Sequence, residues 1–261
     1  MKRLFIFGLG YAASYIARAA LHAGFDVVST GSAGTLRFDD HASVRLALAS
    51  SSHVLSSVPP MADGDPVLTE YGDVLQQRPE LVLAYLSSTG VYGDAGGAWV
   101  DETAPIKGRR ANRNDADQHW LALGARVYRL PGIYGPGRSA LDRVAEGRAH
   151  RIALPDQVFS RIHVADIASG VMRGFEAPPG AYNLADDHPG PQNDVIAYAC
   201  AMLGLPTPPL QTMDEANLSP MARAFYAENR RVANGKAKRV LGWAPLYPDY
   251  VSGLAACHAG R

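Results

Sequence analysis

Residues 1–20, MKRLFIFGLGYAASYIARAA, decide how the rest of the chain is read. Leu4 to Phe7 form an apolar run without a turn residue, the pattern of a strand buried on both faces. Gly8, Gly10 and Ala13 follow at GxGxxA spacing, and small and apolar residues then recur at helical intervals through Ala20. A strand, a glycine turn and a helix in that order suit a dinucleotide. Gly8 permits a tight turn out of the strand, Gly10 lets a diphosphate approach the backbone, and Ala13 lets the helix lie close to the strand. The free N–H groups of the first helical turn, from Tyr11, Ala12 and Ala13, then face the phosphates. A plain glycine turn is the competing reading. The position between a strand and a helix favours the ligand.

The 261 residues carry 25 Lys+Arg against 25 Asp+Glu, a neutrality that argues against nucleic acid or an anionic membrane as the main partner. At 47% hydrophobic residues the chain can bury a sizeable core. No apolar run approaches the ~20 residues that span a bilayer. Gly8 and Gly10 break the first apolar run at once, which is not a signal-peptide layout, so a cytoplasmic globular protein is expected. Cys200 and Cys257 stand far apart without metal-ligand neighbours and read as ordinary thiols, with no metal site expected.

Gly24 ends the first helix, and 25–30 (FDVVST) reads as a second strand. An NAD-preferring site ends this strand with a carboxylate that grips the ribose. Here Ser29, Thr30, Gly31 and Ser32 stand instead. That favours NADP modestly over NAD, with Ser32 and Arg37 as candidates for a 2′-phosphate, against a polar loop with Arg37 solvated. Residues 35–38 read as a third strand. Asp39 and Asp40 either approach the adenine end or cap a helix over 42–50. The run 53–57 (HVLSS) is another buried strand, closed by Val58, Pro59 and Pro60, so Ser57, Val58 and Pro59 sit where open α/β sheets bind ligands. A helix over 66–77 and a strand over 81–87 continue an alternation that calls for a parallel sheet wound on both faces.

Four pieces then carry a resemblance: FGLGYAA (7–13), SSTGVYG (87–93), RLPGIYGPGRS (129–139) and FSRIHVADIA (159–168). YNLADDHPGP (182–191) and LGWAP (241–245) agree with them. Together they resemble the extended branch of the short-chain dehydrogenase/reductases, the nucleotide-sugar epimerase/dehydratase type. The resemblance implies an α/β fold, a Rossmann-type doubly wound parallel sheet with a smaller C-terminal substrate lobe. The dinucleotide domain would be 1–138 and 156–186, and the lobe 139–155 and 187–261. It implies an NAD(P) cofactor and a small-molecule substrate, with a nucleotide sugar one option, and leaves a homodimer open. Ser88, with Thr89 as its neighbour and substitute, takes the place of the hydroxyl that hydrogen-bonds the reacting oxygen. Ser87, Pro131, Gly132 and Ile133 fall where relatives pass the cofactor. Tyr92, Arg138, Arg230 and Arg231 fall where they reach the substrate.

The family's YxxxK pair is missing. The best register along 107–120 puts Arg109 at the Tyr position, Arg113 at the Lys position and Asp117 where a Glu is common. Arg109, Arg113 and Asp117 run at i, i+4 spacing, about 6 Å apart along a helix, so all three can border one cleft or form a solvated ladder with Arg113 paired to Asp117. A guanidinium stays charged and cannot carry the proton, but it can bind an anion in two-pronged fashion. Tyr92, Tyr134 and His163 are the alternative proton carriers, each with a structural role as its competing reading. Farther on, 126–130 and 161–164 read as strands, 140–147 and 193–203 as helices, and Asp166 as the cap of a helix entered at Ile167. The expected function is an NAD(P)-dependent oxidoreductase or epimerase; the alternative is a dinucleotide-binding sensor without turnover.

Overall fold

Leu4, Phe5, Ile6 and Phe7 are all fully buried, because the strand they belong to, β1 (Arg3–Phe7), runs inside a six-stranded parallel sheet. The computed structural model describes residues 2–218 and 220–260, so Met1 of the opening stretch lies outside it. The other strands of the sheet are β2 (Asp26–Ser29), β3 (His53–Ser56), β4 (Val82–Ser88), β5 (Arg126–Leu130) and β6 (Gly180–Asn183), in the spatial order β2-β1-β3-β4-β5-β6. Every neighbouring pair is parallel. The chain therefore leaves β1 toward one edge, returns, and builds the rest on the other side. The reversal lies between β1 and β3.

Alternation along β1 sorts its side chains between two cores. Leu4 and Ile6 join Ile16 and Ala20 of α1 (Tyr11–His22), on the face that also holds Ile167 and Val171. Phe5 and Phe7 join Val44 and Leu48 of α2 (His41–Ala49), Tyr71 and Leu75 of α3 (Pro66–Gln76), and Trp120 of α4 (Ala111–Ala122). Asp65 ties two of these helices together: it caps α3 through the N–H groups of Val67 and Leu68 and accepts from Trp120 Nε1 at 2.8 Å.

After β5 the chain enters α5 (Ala140–Ala145), then returns through a short strand, Arg161–His163, to α6 (Val164–Gly174). Beyond β6 come α7 (Gln192–Leu203), α8 (Pro220–Tyr226), α9 (Gly235–Leu241) and α10 (Tyr250–Ala259). Leu141 of α5, Val195 and Ile196 of α7 and Leu254 of α10 form an apolar cluster of their own with Tyr134.

Three local expectations change. Residues 35–38 make no strand; Thr35 and Leu36 both donate to Ser29 O, and a single bridge between Thr30 and Leu36 is all that forms. The sheet ends at β2 because a turn through Gly31 and Gly34 folds this short segment straight back, and Asp40 then caps α2 through Ser43 N–H. Arg109 lies ahead of α4, which begins at Ala111. Asp166 does not cap α6; His163 does, accepting from Ala165 N–H at 3.2 Å. The Asp166 carboxylate accepts instead from the backbone of Leu246 and Tyr247, at 2.6 and 3.1 Å, and so anchors the loop before α10.

Candidate active site

The crevice between β1 and β3 opens at the carboxyl edge of the sheet, where the chain direction reverses. Gly8 occupies it with φ +81°, and a Cβ there would lie 3.0 Å from Val58 Cγ2 and 3.3 Å from Ser57 Oγ. The Ser57 hydroxyl donates to Gly8 O, while Gly8 N–H donates to Thr30 Oγ1 at 3.2 Å and Leu9 N–H to Thr30 O at 2.8 Å. The turn is thereby fixed from both neighbouring strands. Gly10, the N-cap of α1, makes no side-chain cap, and nothing lies within 4 Å of where its Cβ would be. Among the described residues none accepts from the N–H of Tyr11, Ala12 or Ala13. An open concavity lined by free N–H groups at a helix's positive end is a fit for a diphosphate. Tyr11 spans from this turn to the loop after β5, donating to Pro136 O at 3.1 Å with the Arg138 guanidinium 5.5 Å over its ring.

Two strands farther along the same edge, roughly 10–14 Å at the usual strand spacing, β4 ends in Ser88 and β5 in Leu130. Ser88 Oγ accepts from Gly90 N–H at 3.1 Å and starts a 3₁₀ turn over Thr89–Tyr92. Beneath it a polar network is sealed from water. Asp117 is 0% exposed and pairs with Arg129, itself 3% exposed, through Nη2–Oδ1 at 2.7 Å and Nε–Oδ2 at 3.1 Å. Ser87 Oγ donates to the same carboxylate at 2.6 Å. Arg129 Nη1 donates to Tyr92 OH at 3.0 Å, and Tyr92 OH donates to Asn183 Oδ1 at 2.8 Å. Strands β4, β5 and β6, helix α4 and the 3₁₀ turn are thus pinned to one another below the loop that carries Ser88.

Above that loop is a cleft of about 260 Å³. Ser88, Thr89, Pro131 and Gly132 form its floor, and Arg109, Arg110, Arg113 and Arg230 supply its charge. Glu228 faces them: Arg109 Nε donates to it at 2.7 Å and Arg230 Nη1 at 2.6 Å. Burial alone would raise the Glu228 carboxyl, but these two guanidinium groups hold it below the usual carboxylate range. Helix α8 contributes Ala224 and Phe225; Phe225 stacks on Phe159 with centroids 4.5 Å apart and planes at 5°. A smaller cavity of about 80 Å³ adjoins it, bordered by Ile133, Arg138 and Arg161.

The cleft brings together Ser88, Thr89, Arg109, Arg113 and Arg230 from the sequence-derived candidates. Arg231 is not among its lining residues. Its strand pairs with Trp99–Val100, so alternation turns Arg230 and Val232 toward the cleft and Arg231 away, onto Gly97 O. Tyr92 is 3% exposed and has its hydroxyl engaged in the buried network, so it does not reach a substrate; burial also pushes its phenol up. Asp117 neither borders the cleft nor pairs with Arg113, because a fully buried carboxylate needs a buried partner and finds it in Arg129. The other proton-carrier candidates are also occupied: Tyr134 OH donates to Asp249 O, and burial drives His163 down to about 4, a neutral cap. Ser32 and Arg37 lie on an exposed loop, where Arg37 pairs with Asp39 at 2.7 Å.

Sequence reasoning missed Arg110, Glu228, Phe159 and Phe225. It also passed over Arg129, although a charged residue inside the strand RVYRL is a signal for a buried partner.

No protein-family model matches the chain. A "functionally unknown conserved protein" from Silicibacter pomeroyi is similar in structure, with a TM-score of 0.89 and 41% identity over 100% of this chain and 99% of that one. The dTDP-glucose 4,6-dehydratase of Bacillus anthracis, solved in complex with NAD, superposes with a TM-score of 0.79 at 15% identity, covering 100% of this chain and 97% of that one. A 3-diazoavenalumate denitrifying reductase from a Streptomyces species is 30% identical over 144 residues. That match spans 51% of this chain and 46% of the reductase, about half the length of each.

Proposed function

For a chain that belongs to one family with the Silicibacter pomeroyi protein and has the fold of the extended short-chain dehydrogenase/reductases, we propose an NAD(P)-dependent oxidoreductase that works as a reductase on a small molecule. When bound, a nicotinamide dinucleotide supplies or accepts a hydride. The observation that carries the reading is the pairing of an open glycine crevice with a cleft whose lining has no group that trades a proton near neutral pH. Gly8, Gly10 and the first turn of α1 would hold the diphosphate, with Ser57, Val58 and Pro59 across from them. Ser88 would orient the reacting oxygen. Arg113 stands where relatives place a lysine and would meet the ribose or the substrate.

Epimerases and dehydratases of this fold draw a proton to and from substrate, and position an acid/base for it. On the register read from the sequence Arg109 takes the Tyr position; in the cleft Glu228 is fixed as a carboxylate by two guanidinium groups, and the remaining polar lining is Ser, Thr and Arg. Hydride delivery with the proton taken from water asks nothing of these side chains. The denitrifying reductase relative supports this direction. The absence of a carboxylate at the end of β2, where Ser29, Thr30, Gly31 and Ser32 stand, supports NADP over NAD, since the surface pairing of Arg37 with Asp39 is easily exchanged for a phosphate. The same missing acid/base favours a second reading, a dinucleotide sensor without turnover.

The test is Gly10→Val. Its side chain enters open space with φ at −92°, so the unligated protein should keep its melting temperature while NADPH affinity, read by fluorescence titration, collapses. Undiminished NADPH binding refutes the crevice. Transfer of deuterium from C4-labelled NADPH to any acceptor separates the enzyme from the sensor.

A further inference from the structure

We propose that the cleft above Ser88 selects a small, planar, apolar carboxylate, such as an aryl or arylalkenyl acid, over nucleoside-diphosphate sugars. The inference rests on the oxidoreductase reading only in taking this cleft as the substrate's.

Charge comes first. Four guanidinium groups face one carboxylate across the cleft. Arg109 and Arg230 are already engaged: both bind Glu228, Arg109 also donates to Ala224 O at 2.7 Å, and Arg230 to Gly93 O at 2.7 Å. Among the described residues the Arg110 and Arg113 guanidinium groups meet no protein acceptor. An arginine left without a protein partner at the wall of a cleft is a receptor for an anion, and its planar fork matches a carboxylate by two parallel N–H···O bonds.

The remaining walls are apolar. Leu130, Pro131, Val158 and Val232 line the cleft beside the stacked Phe159 and Phe225. Phe159 is 7% exposed, yet Phe225 is 49% exposed, a large aromatic surface left uncovered at the mouth. A flat hydrocarbon body placed against these walls removes that surface from water and makes offset ring contacts, whereas a sugar would put hydroxyls against them without partners. Size agrees. About 260 Å³ falls below the ~300–1,000 Å³ of sites for drug-sized ligands. A ring with a short carboxylate arm fits such a cleft.

The experiment uses the full chain and measures calorimetric affinity for cinnamate, cinnamamide, UDP-glucose and inorganic phosphate, with NADPH titrated separately on the same preparations. Cinnamate is expected to bind at least tenfold tighter than its amide and tighter than UDP-glucose or phosphate. Arg113→Gln should weaken cinnamate at least tenfold and leave the amide unchanged; Phe225→Ala, at an exposed position, should weaken both severalfold. Equal affinity for acid and amide, tighter binding of UDP-glucose or phosphate, or no cinnamate binding overturns the inference. If NADPH still binds in that case, only the substrate class falls. If NADPH does not bind, the dinucleotide reading falls, and the cinnamate result stands by itself.

Discussion

Replacing Asp117 by Asn tests whether the polar network under the Ser88 loop is held by charge. The carboxylate is 0% exposed and takes hydrogen bonds from Arg129 Nη2, Arg129 Nε and Ser87 Oγ at 2.7, 3.1 and 2.6 Å. Asn keeps the shape but removes the charge, leaving the Arg129 guanidinium buried without its counter-ion. Breaking a buried pair from one side costs about 3–5 kcal/mol. For a chain of this size each kcal/mol moves the melting temperature by about 2–4 °C, so a loss of roughly 6–20 °C is expected. Urea unfolding supplies the free energy directly, with an unchanged m-value as the check that only stability moved. Because desolvating both ions is costly, Asp117→Leu combined with Arg129→Met should be far less damaging than the sum of the two single changes. A loss below about 1 kcal/mol in Asp117→Asn, or full additivity in the double variant, would refute the account.

Asp186 is 1% exposed, and burial, only partly offset by the charge of Arg161 and by the backbone N–H groups of His188 and Arg161, lifts it to about 8. A carboxyl raised on folding must hold a proton that the unfolded chain releases near 4, so it destabilises increasingly as pH climbs from 4 to 8. Asp186→Asn should therefore raise stability by up to about 5 kcal/mol at pH 8 and by almost nothing at pH 4; a gain independent of pH in urea titrations would contradict this. Gly174 sits where a Cβ would come 1.9 Å from Tyr128 OH. Gly174→Ala should cost about 1–3 kcal/mol, and adding Tyr128→Phe, which removes the nearest atom, should recover part of it in the same assay.

The sheet was legible because buried parallel strands write themselves as apolar runs and their turns as glycine and proline. Leu4–Phe7, His53–Ser56 and the glycine turn needed no tertiary information. Residues 35–38 show the boundary of such reading: TLRF has strand propensity, but whether it pairs depends on where Gly31 and Gly34 send the chain. The candidate site divides the same way. Ser88 and Gly8 sit in local motifs and could be found from spacing. Glu228 and Phe225 reach the cleft from over a hundred residues beyond Ser88, through a C-terminal segment whose path no local pattern specifies. Asp117 looked like one member of a surface ladder because i, i+4 spacing marks neighbours on a helix and says nothing about which side of the ladder faces the sheet.

On the sequence register that sets Arg109 against the family's tyrosine, the departure from YxxxK gains a physical sense under the proposed function from these contacts. A tyrosine at position 109 would be a neutral group at the cleft wall. The arginine there reaches across the cleft instead, to Glu228 and to Ala224 O at the end of α8, while Arg230 binds Glu228 from the other side and Gly93 O in the Ser88 loop. Arg109 and Arg230 therefore join α8 and the segment after it to the edge of the sheet through one shared carboxylate. Neither partner in this junction suits proton transfer, because a guanidinium cannot lose its proton and a doubly paired carboxylate resists gaining one. Under the proposed function, pairing across the cleft takes the position that proton transfer would need. That is the physical ground for reading the site as one that delivers hydride and leaves the proton to water.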